Sequence, residues 1–408
     1  MNILLINHYA GCIEYGMEYR PYYMAQEWIK MGHKVTVASS SFSHLRSTQP
    51  DIKNDLTTEY IDEIEYVWLK GPSYAGNGIG RVLNMLTFIQ KLYSYKNFFI
   101  EKNPNVVIAS STYPLDIYPA RSIAKASGAK LVFEVHDLWP LSPMELGNMS
   151  KWHPFIMVMQ KAENDAYKYA DKVVSMLPKT LQHMVEHGMC SDKFVYIPNG
   201  ISIDEWNKQK QEIPKEHTEI LDNLHEQGYT VIGYAGSHGI ANALHIAIEA
   251  AKKLEHENIA FVFVGKGPEK ESLEAVTAIN CLKNVFWLPP VNKECIPELL
   301  DNMDMLYIGW SKNSLYRFGI SPNKLMDYMM AGKPIVHSVS AGNDPVAECG
   351  CGISVEAENP DKLADAILEM MKKTSAEREK MGRRGYEYVT KNHDYQVLAK
   401  RFIDNLII

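Results

Sequence analysis

Short apolar runs alternate along the chain with stretches in which apolar positions recur every three or four residues. In the first half the runs read as strands over 3–7, 34–39, 106–110, 130–135, 172–176 and 194–197, with helices between them, among them 18–31 and 115–126. Such alternation predicts βαβ units and parallel sheets. The rhythm breaks at PNGISIDEWNKQKQEIPKEH, residues 198–217, which is polar and punctuated by prolines. It restarts with TVIGYAGS, FVFVGKG, NVFWLPPV and DMLYIGW, each followed by a helical pattern. The last stretch, YQVLAKRFIDNLII, reads as an amphipathic helix.

These elements divide the 408 residues into a first domain over 1–200, a linker over 201–217 and a second domain over 218–392. A terminal helix at about 393–408 crosses back to the first domain. A chain of this length exceeds what one core supports. The predicted class is α/β, with two Rossmann-like, doubly wound domains facing across a cleft. Ligands in such sheets bind beyond the carboxyl ends of the strands, so the loops there, and the cleft they face, are where chemistry is expected.

Composition narrows the partners. Hydrophobic residues make up 46% and charged residues 22% of the chain, and the net charge of −7 argues against nucleic acid and for a small molecule. No segment reaches 18 unbroken apolar residues, and the N-terminal MNILLINHYAG lacks the basic leader and cleavage site of a signal peptide. The six cysteines are scattered without CxxC spacing, which suggests neither a zinc site nor a disulfide framework. A reducing cytoplasm is the expected compartment.

The stretch YRFGISPNKLMDYMMAGKPIV, 316–336, is the most informative. Arg317 and Lys324 flank a turn, Gly319-Ile320-Ser321-Pro322-Asn323, that opens a helix, so two cations and several free amides converge where an anion would sit. Asp327 lies about one turn into that helix, where a carboxylate can accept two hydroxyl hydrogen bonds, as a ribose diol offers; an acid there is also simply favourable with the helix dipole. In YAGSHGIANALHIAIEAA, Gly236, Ser237, His238 and Gly239 form a Gly-rich turn between strand and helix, fit either to cradle a diphosphate or to pack helix closely on strand. The loop GKGPEKE carries Gly265 and Gly267, but Lys270 stands where a dinucleotide fingerprint has its third glycine. It serves as a tight turn, against which a flat base can lie.

In the first half, NHYAGCIEYGMEYRPYYMAQ places Gly11 and Gly16 between a strand and a helix carrying Arg20, on the acceptor side. Arg20 either faces the cleft or pairs at the surface. His136 and Asp137 follow the strand LVFEV at its carboxyl end; Asp137 alternatively holds the loop. The helical stretch 80–99 carries an apolar stripe with Arg81, Lys91 and Lys96 beside it, suited to a core-facing helix or to peripheral contact with an anionic membrane.

In order and spacing these motifs resemble the retaining glycosyltransferases of family 4, which have the GT-B fold. The resemblance runs from the N-terminal glycine loop and GHKVTV through VYIPNG and VGKGPE to DYMMAGKPIV. RFGISPNKL, DYMMAGKP and HDLWP are most similar to the branch that makes bacterial O-antigen and capsule sugars, including N-acetylfucosamine transferases. The resemblance implies transfer of a sugar from a nucleotide diphosphate sugar, UDP by preference, to a saccharide or lipid-linked acceptor, with retention and without a cofactor or metal. It implies a cytoplasmic enzyme, in peripheral contact with the inner face of the membrane through helix 80–99.

By the same resemblance Asp327 falls on the glutamate that holds the ribose, and Gly265, Gly267 and Val291 fall in the loops near the base. The turns at Gly236–Gly239 and Gly319–Asn323 hold the diphosphate and donor sugar, and His136 faces that sugar. Two departures stand out. Gly319 occupies the position of the family's first glutamate, so the backbone of Ile320 and Ser321 must contact the sugar. Ser237 replaces the usual arginine after the first strand of the nucleotide domain, and the lysine that follows it is missing as well. Arg317 and Lys324 are the candidates to stabilise the leaving diphosphate in their place. The competing readings are a GT-B nucleotide-sugar epimerase, an NAD-dependent oxidoreductase, and a non-catalytic nucleotide-sugar-binding subunit.

Overall fold

The computed structural model describes residues 1–76, 78–208 and 211–407. The chain divides into two compact units, Met1–Asn199 with Tyr395–Ile408, and Gly200–Asp394. Position 408 of the expected terminal helix, and 209 and 210 of the expected linker, lie outside the described residues.

The first unit is built on β1 (Asn2–Ile6), β2 (Lys34–Ser40), β3 (Thr57–Ile61), β4 (Ile64–Leu69), β5 (Val106–Ala109), β6 (Lys130–Val135), β7 (Lys172–Ser175) and β8 (Phe194–Tyr196). They form one sheet in the order β3-β4-β2-β1-β5-β6-β7-β8, parallel except for the β3–β4 hairpin. The sequence reading missed that hairpin. Its turn residues Asp62 and Glu63 both take positive φ, 46° and 67°, as a type I′ turn requires, but without the Asn-Gly or Asp-Gly that signals such a turn.

The terminal helix Tyr395–Ile407 packs on the helix Arg20–Lys30 of this unit. The Trp28 ring lies 5.0 Å from that of Phe402 and its Nε1 donates to the Ala399 carbonyl at 3.2 Å, while Tyr23 stacks on Tyr395. Leu398, Phe402 and Leu406 thereby join a core shared with the first strands. The expected single helix over 80–99 is instead two, Ile79–Ser94 and Lys96–Glu101, interrupted at Tyr95.

The second unit is an all-parallel sheet of β9 (Thr230–Ala235), β10 (Ile259–Val264), β11 (Val285–Leu288), β12 (Met305–Gly309), β13 (Ile335–Ser338) and β14 (Gly352–Val355). Their order is β11-β10-β9-β12-β13-β14. Apolar cores cover both faces, which is why these strands read as unbroken apolar runs.

Much of the expected linker belongs to this unit. Helices form over Ile203–Lys208 and Lys215–Glu226. Ile201, Ile213 and Leu221 are buried in its core, and His217 hydrogen-bonds the Pro289 carbonyl through Nε2 at 2.9 Å. The apolar positions there are too sparse to stand out among the polar residues, yet Ile201 and Ile213 are buried and Ile203 and Trp206 pack half-buried against the same core.

In both sheets the strand order reverses beside the first strand, between β1 and β5 and between β9 and β12. Diverging connections open a crevice at such a point, beyond the carboxyl ends of the strands. The loops after these four strands carry most of the polar groups described next.

Candidate active-site residues in the two units

In the second unit, β9 ends in Tyr234 and Ala235 and turns at Gly236, whose φ of +151° favours glycine. The hydroxyl of Tyr328, on the helix Asn323–Met330, accepts the Ala235 amide at 2.8 Å and pins the strand end. The Tyr234 hydroxyl donates to the Ser237 carbonyl at 2.6 Å, and the Asn242 amide donates to the same carbonyl at 2.9 Å. Lys324, the residue that follows the Gly319–Asn323 segment, closes the network. Its Nζ donates to the Tyr234 hydroxyl at 2.6 Å and to Asn242 Oδ1 at 2.7 Å, and lies 4.3 Å from the centre of the Tyr234 ring. Burial pulls the ammonium down to about 7, against the opposing pull of Asp327.

The turns after β9 and β10 fit backbone to backbone. A Cβ on Gly265, where φ is +151°, would stand 1.9 Å from the Gly236 carbonyl oxygen, and one on Gly267 would stand 2.4 Å from that of His238. The His238 amide donates to the Lys266 carbonyl at 2.9 Å. The His238 ring is fully buried against Trp287, and neither of its nitrogens has a hydrogen-bond partner among the described residues. Burial, with Lys270 and Lys324 nearby, holds the imidazole neutral with a pKa of about 4. A buried polar group left open is uncommon. Val291, after β11, packs half-buried against the core beneath.

The helix Asn323–Met330 starts at Pro322 without a side-chain cap, which leaves its first amides without the usual protein acceptor. Asp327 lies on this helix, and no hydrogen bond or ion pair reaches its carboxylate among the described residues. Burial pushes its carboxyl up to about 7, with Lys293 opposing, Glu205 reinforcing and Lys324 opposing. Lys293 and Glu205 are themselves paired at 3.1 Å.

Two expectations for the Gly319–Asn323 segment change. The Ile320 amide donates to Asn343 Oδ1 at 2.7 Å, and the Asn343 side chain returns a hydrogen bond to the Ile320 carbonyl at 3.1 Å. Asn343 has thus taken the Ile320 backbone that was expected to meet a sugar. Arg317 does not join Lys324 at the β9 turn. It is exposed, donates to the Ser314 carbonyl, and lies 4.4 Å from the Phe318 ring. With Asn313, Ser314 and Ser340–Gly342 it lines a separate cavity of about 480 Å³. Gly319 itself has φ +106°.

In the first unit, Arg20 is not at the surface. It is buried, paired with Glu134 at 2.9 Å, and donates to the carbonyls of Ile197 and Pro198 at 3.0 and 2.6 Å. A guanidinium so engaged holds the end of β8 rather than a ligand. Burial alone would raise the Glu134 carboxyl, but Arg20, His136 and Ser110 hold it well below the usual carboxylate range. Glu134 Oε2 accepts from the Ser110 hydroxyl at 2.7 Å and lies 3.3 Å from His136 Nε2, which lies 2.8 Å from Ser110 Oγ. His136 is therefore fixed from behind through Nε2, and its Nδ1 has no hydrogen-bond partner among the described residues. Asp137 Oδ1 accepts from the Leu138 amide at 2.9 Å and the Ser142 hydroxyl at 2.6 Å, so this carboxylate shapes the loop.

Gly11 and Gly16 close the loop after β1 on itself, since a Cβ on Gly11 would stand 1.8 Å from the Gly16 carbonyl oxygen. Beside this loop lies a cluster that sequence reading missed. His8 is buried between Tyr113 and Asn84, bonded to each at 2.5 Å, and burial drops its pKa to about 3. Nothing in a pattern of apolar runs distinguishes such a histidine from its neighbours. Tyr234, Asn242 and Asn343 escaped notice for the same reason, being ordinary residues until the fold assembles them.

Two doubly wound units, the second carrying a cationic glycine-rich turn and an open carboxylate on an uncapped helix, define a GT-B glycosyltransferase. Residues 15–205 match the description "Glycosyltransferase Family 4" and residues 216–388 match "Glycosyl transferases group 1". The chain belongs to this family of glycosyltransferases. It is 23% identical over 297 residues to WcaI of Escherichia coli (strain K12), named for colanic acid biosynthesis, with 70% of each chain covered. It is 21% identical over 304 residues to WbjE of Pseudomonas aeruginosa, named as a glycosyltransferase, with 72% of this chain and 71% of that one covered. Among solved structures, HepE of Anabaena in complex with UDP and glucose superimposes with a TM-score of 0.66 at 14% identity, over 100% of this chain and 99% of that one.

Proposed function

We propose that this glycosyltransferase moves a sugar from a UDP-sugar to a saccharide or lipid-linked acceptor in bacterial surface-polysaccharide synthesis, with retention of anomeric configuration and without a metal ion. One observation carries the reading. The partnerless carboxylate of Asp327 and the ammonium of Lys324 stand on one uncapped helix, with Lys324 running to the Gly236 turn. That is the acceptor a ribose diol and the cationic donor a diphosphate need together. The name of WcaI and the complex of HepE with UDP support the polysaccharide role and the uridine nucleotide. The SPNKL and HDLWP motifs favour an N-acetylated amino sugar of the N-acetylfucosamine type.

In the transfer, the bond from the anomeric carbon to the diphosphate breaks as the bond to the acceptor oxygen forms on the same face. The acceptor proton passes to the departing phosphate oxygen. Lys324 and the amides at the start of its helix take the developing charge, which is often the largest contribution to such a barrier. His238 acts through the backbone of its turn, its neutral ring being buried beneath it. His136, held through Nε2, orients the sugar with Nδ1, while Asp137 acts only through its loop.

We place the reaction on the cytoplasmic side of the membrane, consistent with six free cysteines. Among the described residues no helix is long and apolar enough to cross a membrane. For a lipid-linked acceptor, the exposed face of Ile79, Leu83 and Leu86, 80%, 56% and 50% accessible, supplies peripheral contact. Arg81 and Lys91 turn away from it, toward Tyr9 and Asp55.

The test is incubation of the purified protein with a panel of nucleotide sugars, with and without a lipid-linked acceptor. Acceptor-dependent release of UDP supports the transferase. Conversion of the sugar without acceptor points to an epimerase, and binding without turnover to a non-catalytic subunit; either outcome ends the proposal.

A further inference from the structure

We infer that the first unit holds a second site, unconnected with sugar transfer, for one divalent transition metal of the zinc class, bound by Glu163, His183 and His187. Glu163 stands on the helix Pro154–Tyr169, before β7, and the histidines belong to the helix Leu181–Glu186 and its C-cap, after β7. The His187 amide donates to the His183 carbonyl at 3.1 Å, so the two imidazoles share one helical face, with ring centres 4.4 Å apart.

One ligand atom from each of the three residues lies within 4.8 Å of those of the other two. His183 Nε2 is 3.4 Å from Glu163 Oε1. Metal bonds of about 2.0 to 2.1 Å in tetrahedral array separate their donor atoms by about 3.4 Å. One pair is already at that spacing, and the third donor closes by a rotamer adjustment at the helix end. The carboxylate is preorganised from behind, because the Tyr167 hydroxyl donates to Oε1 at 2.9 Å. Orientation of a ligand by a second hydrogen bond is characteristic of protein metal sites.

The hydrogen-bond count points the same way. Gln160 Nε2 lies 2.7 Å from Glu163 Oε2, 2.8 Å from Asn164 Oδ1 and 3.0 Å from His187 Nδ1. An amide nitrogen has two hydrogens for these three acceptors. His187 Nδ1 is also 3.1 Å from Asn164 Oδ1. With Nδ1 unprotonated, two lone pairs face each other; with Nδ1 protonated, two donors meet at Gln160. Turning either amide over only moves the mismatch. Acceptors from Glu163, Asn164 and the two histidines thus crowd one spot, which suits a cation ligated by Glu163, His183 and His187.

Imidazole nitrogen with a single carboxylate suits zinc and its neighbours rather than magnesium or calcium, which prefer all-oxygen shells. A metal here would clamp the helix before β7 to the helix after it. The fourth position goes to water or to Asn164.

The experiment uses tag-free full-length protein stripped with a chelator, titrated with zinc by calorimetry and with cobalt by visible absorption. The expected result is one equivalent of metal, an intense cobalt spectrum of tetrahedral type, and a melting temperature that rises with zinc. His183→Ala and His187→Ala should each weaken zinc binding at least about a hundredfold, the upper end of what loss of an outer partner alone costs. Both should leave transferase turnover unchanged, and Glu163→Gln should abolish the cobalt spectrum. Zinc affinity equal in wild type and variants would overturn the proposal. So would the absence of a cobalt spectrum in the wild-type protein, a reading that does not depend on any variant folding.

Discussion

The ammonium of Lys324 lies 2.6 Å from the hydroxyl of Tyr234, joining the first turn of the helix after the Gly-Ile-Ser-Pro-Asn segment to the end of β9. On the proposed reading, Lys324 brings to the β9 turn the cation that the resemblance leads one to expect from that turn itself. Replacing Lys324 by Ala should lower kcat by about 10² to 10³, the typical cost of removing one group that stabilises developing charge. Fold stability should be little affected, so thermal melting measured beside steady-state rates separates the two effects. A turnover within threefold of wild type would remove Lys324 from the reaction.

If Asp327 accepts the ribose hydroxyls, Asp327→Asn should weaken UDP binding by about 1.5 to 3 kcal/mol, the value of a hydrogen bond to a charged group. The same substitution should cost nearly nothing when the ligand is 2′,3′-dideoxy-UDP. Calorimetric titration of both proteins with both nucleotides completes the cycle, and additive losses would contradict the assignment.

Binding should depend on pH on both sides of neutrality. Burial brings Lys324 down to about 7 and Asp327 up to about 7. Above pH 7 the free protein must take up a proton to meet the diphosphate, so affinity falls by up to about tenfold per unit of pH. Below pH 7 Asp327 is protonated and a poorer acceptor, so affinity falls again. A UDP-sugar is the proper ligand, because it has no phosphate ionisation in this range. Lys324→Met should flatten the alkaline limb and Asp327→Asn the acid limb.

Glu134→Gln should cost about 3 to 5 kcal/mol of stability, because it strands the buried Arg20 charge. The folded carboxyl lies below its ordinary value of 4.5, so its contribution is full above that value and disappears as the pH falls through the folded value. Denaturant unfolding between pH 3 and 7 should therefore show a shallower acid decline in the variant than in wild type.

Gly265→Ala should destabilise the second unit by at least about 1 to 3 kcal/mol, through positive φ and a Cβ 1.9 Å from the Gly236 oxygen. UDP binding should fall with it, since the turn displaced is the one proposed to cradle the diphosphate. Melting with and without UDP checks both effects at once.

The sequence alone determined the α/β class, the restart of the alternation in a second unit, and the stretch from Arg317 to Gly332 as the place to look. Local periodicity carries that information, because a strand buried on both faces must be apolar along its whole length. It also marked Asp327 and Lys324, since charges inside an apolar helical run stand out. What it left undecided were partnerships across distance.

Arg20 read as an acceptor-side residue until Glu134 and the Ile197 and Pro198 carbonyls were found around it. Ile320 read as a sugar contact until Asn343 was found on its amide. Arg317 and Lys324 read as a pair, yet one lines its own cavity and the other runs to Tyr234. The 201–217 segment read as a linker because its few apolar residues are spaced too widely to show a period, and only the second core reveals where they go. In each case a polar group's role depends on which atoms lie within about 3 Å of it. That distance is set by strands and helices far apart in the chain, and only the tertiary structure supplies it.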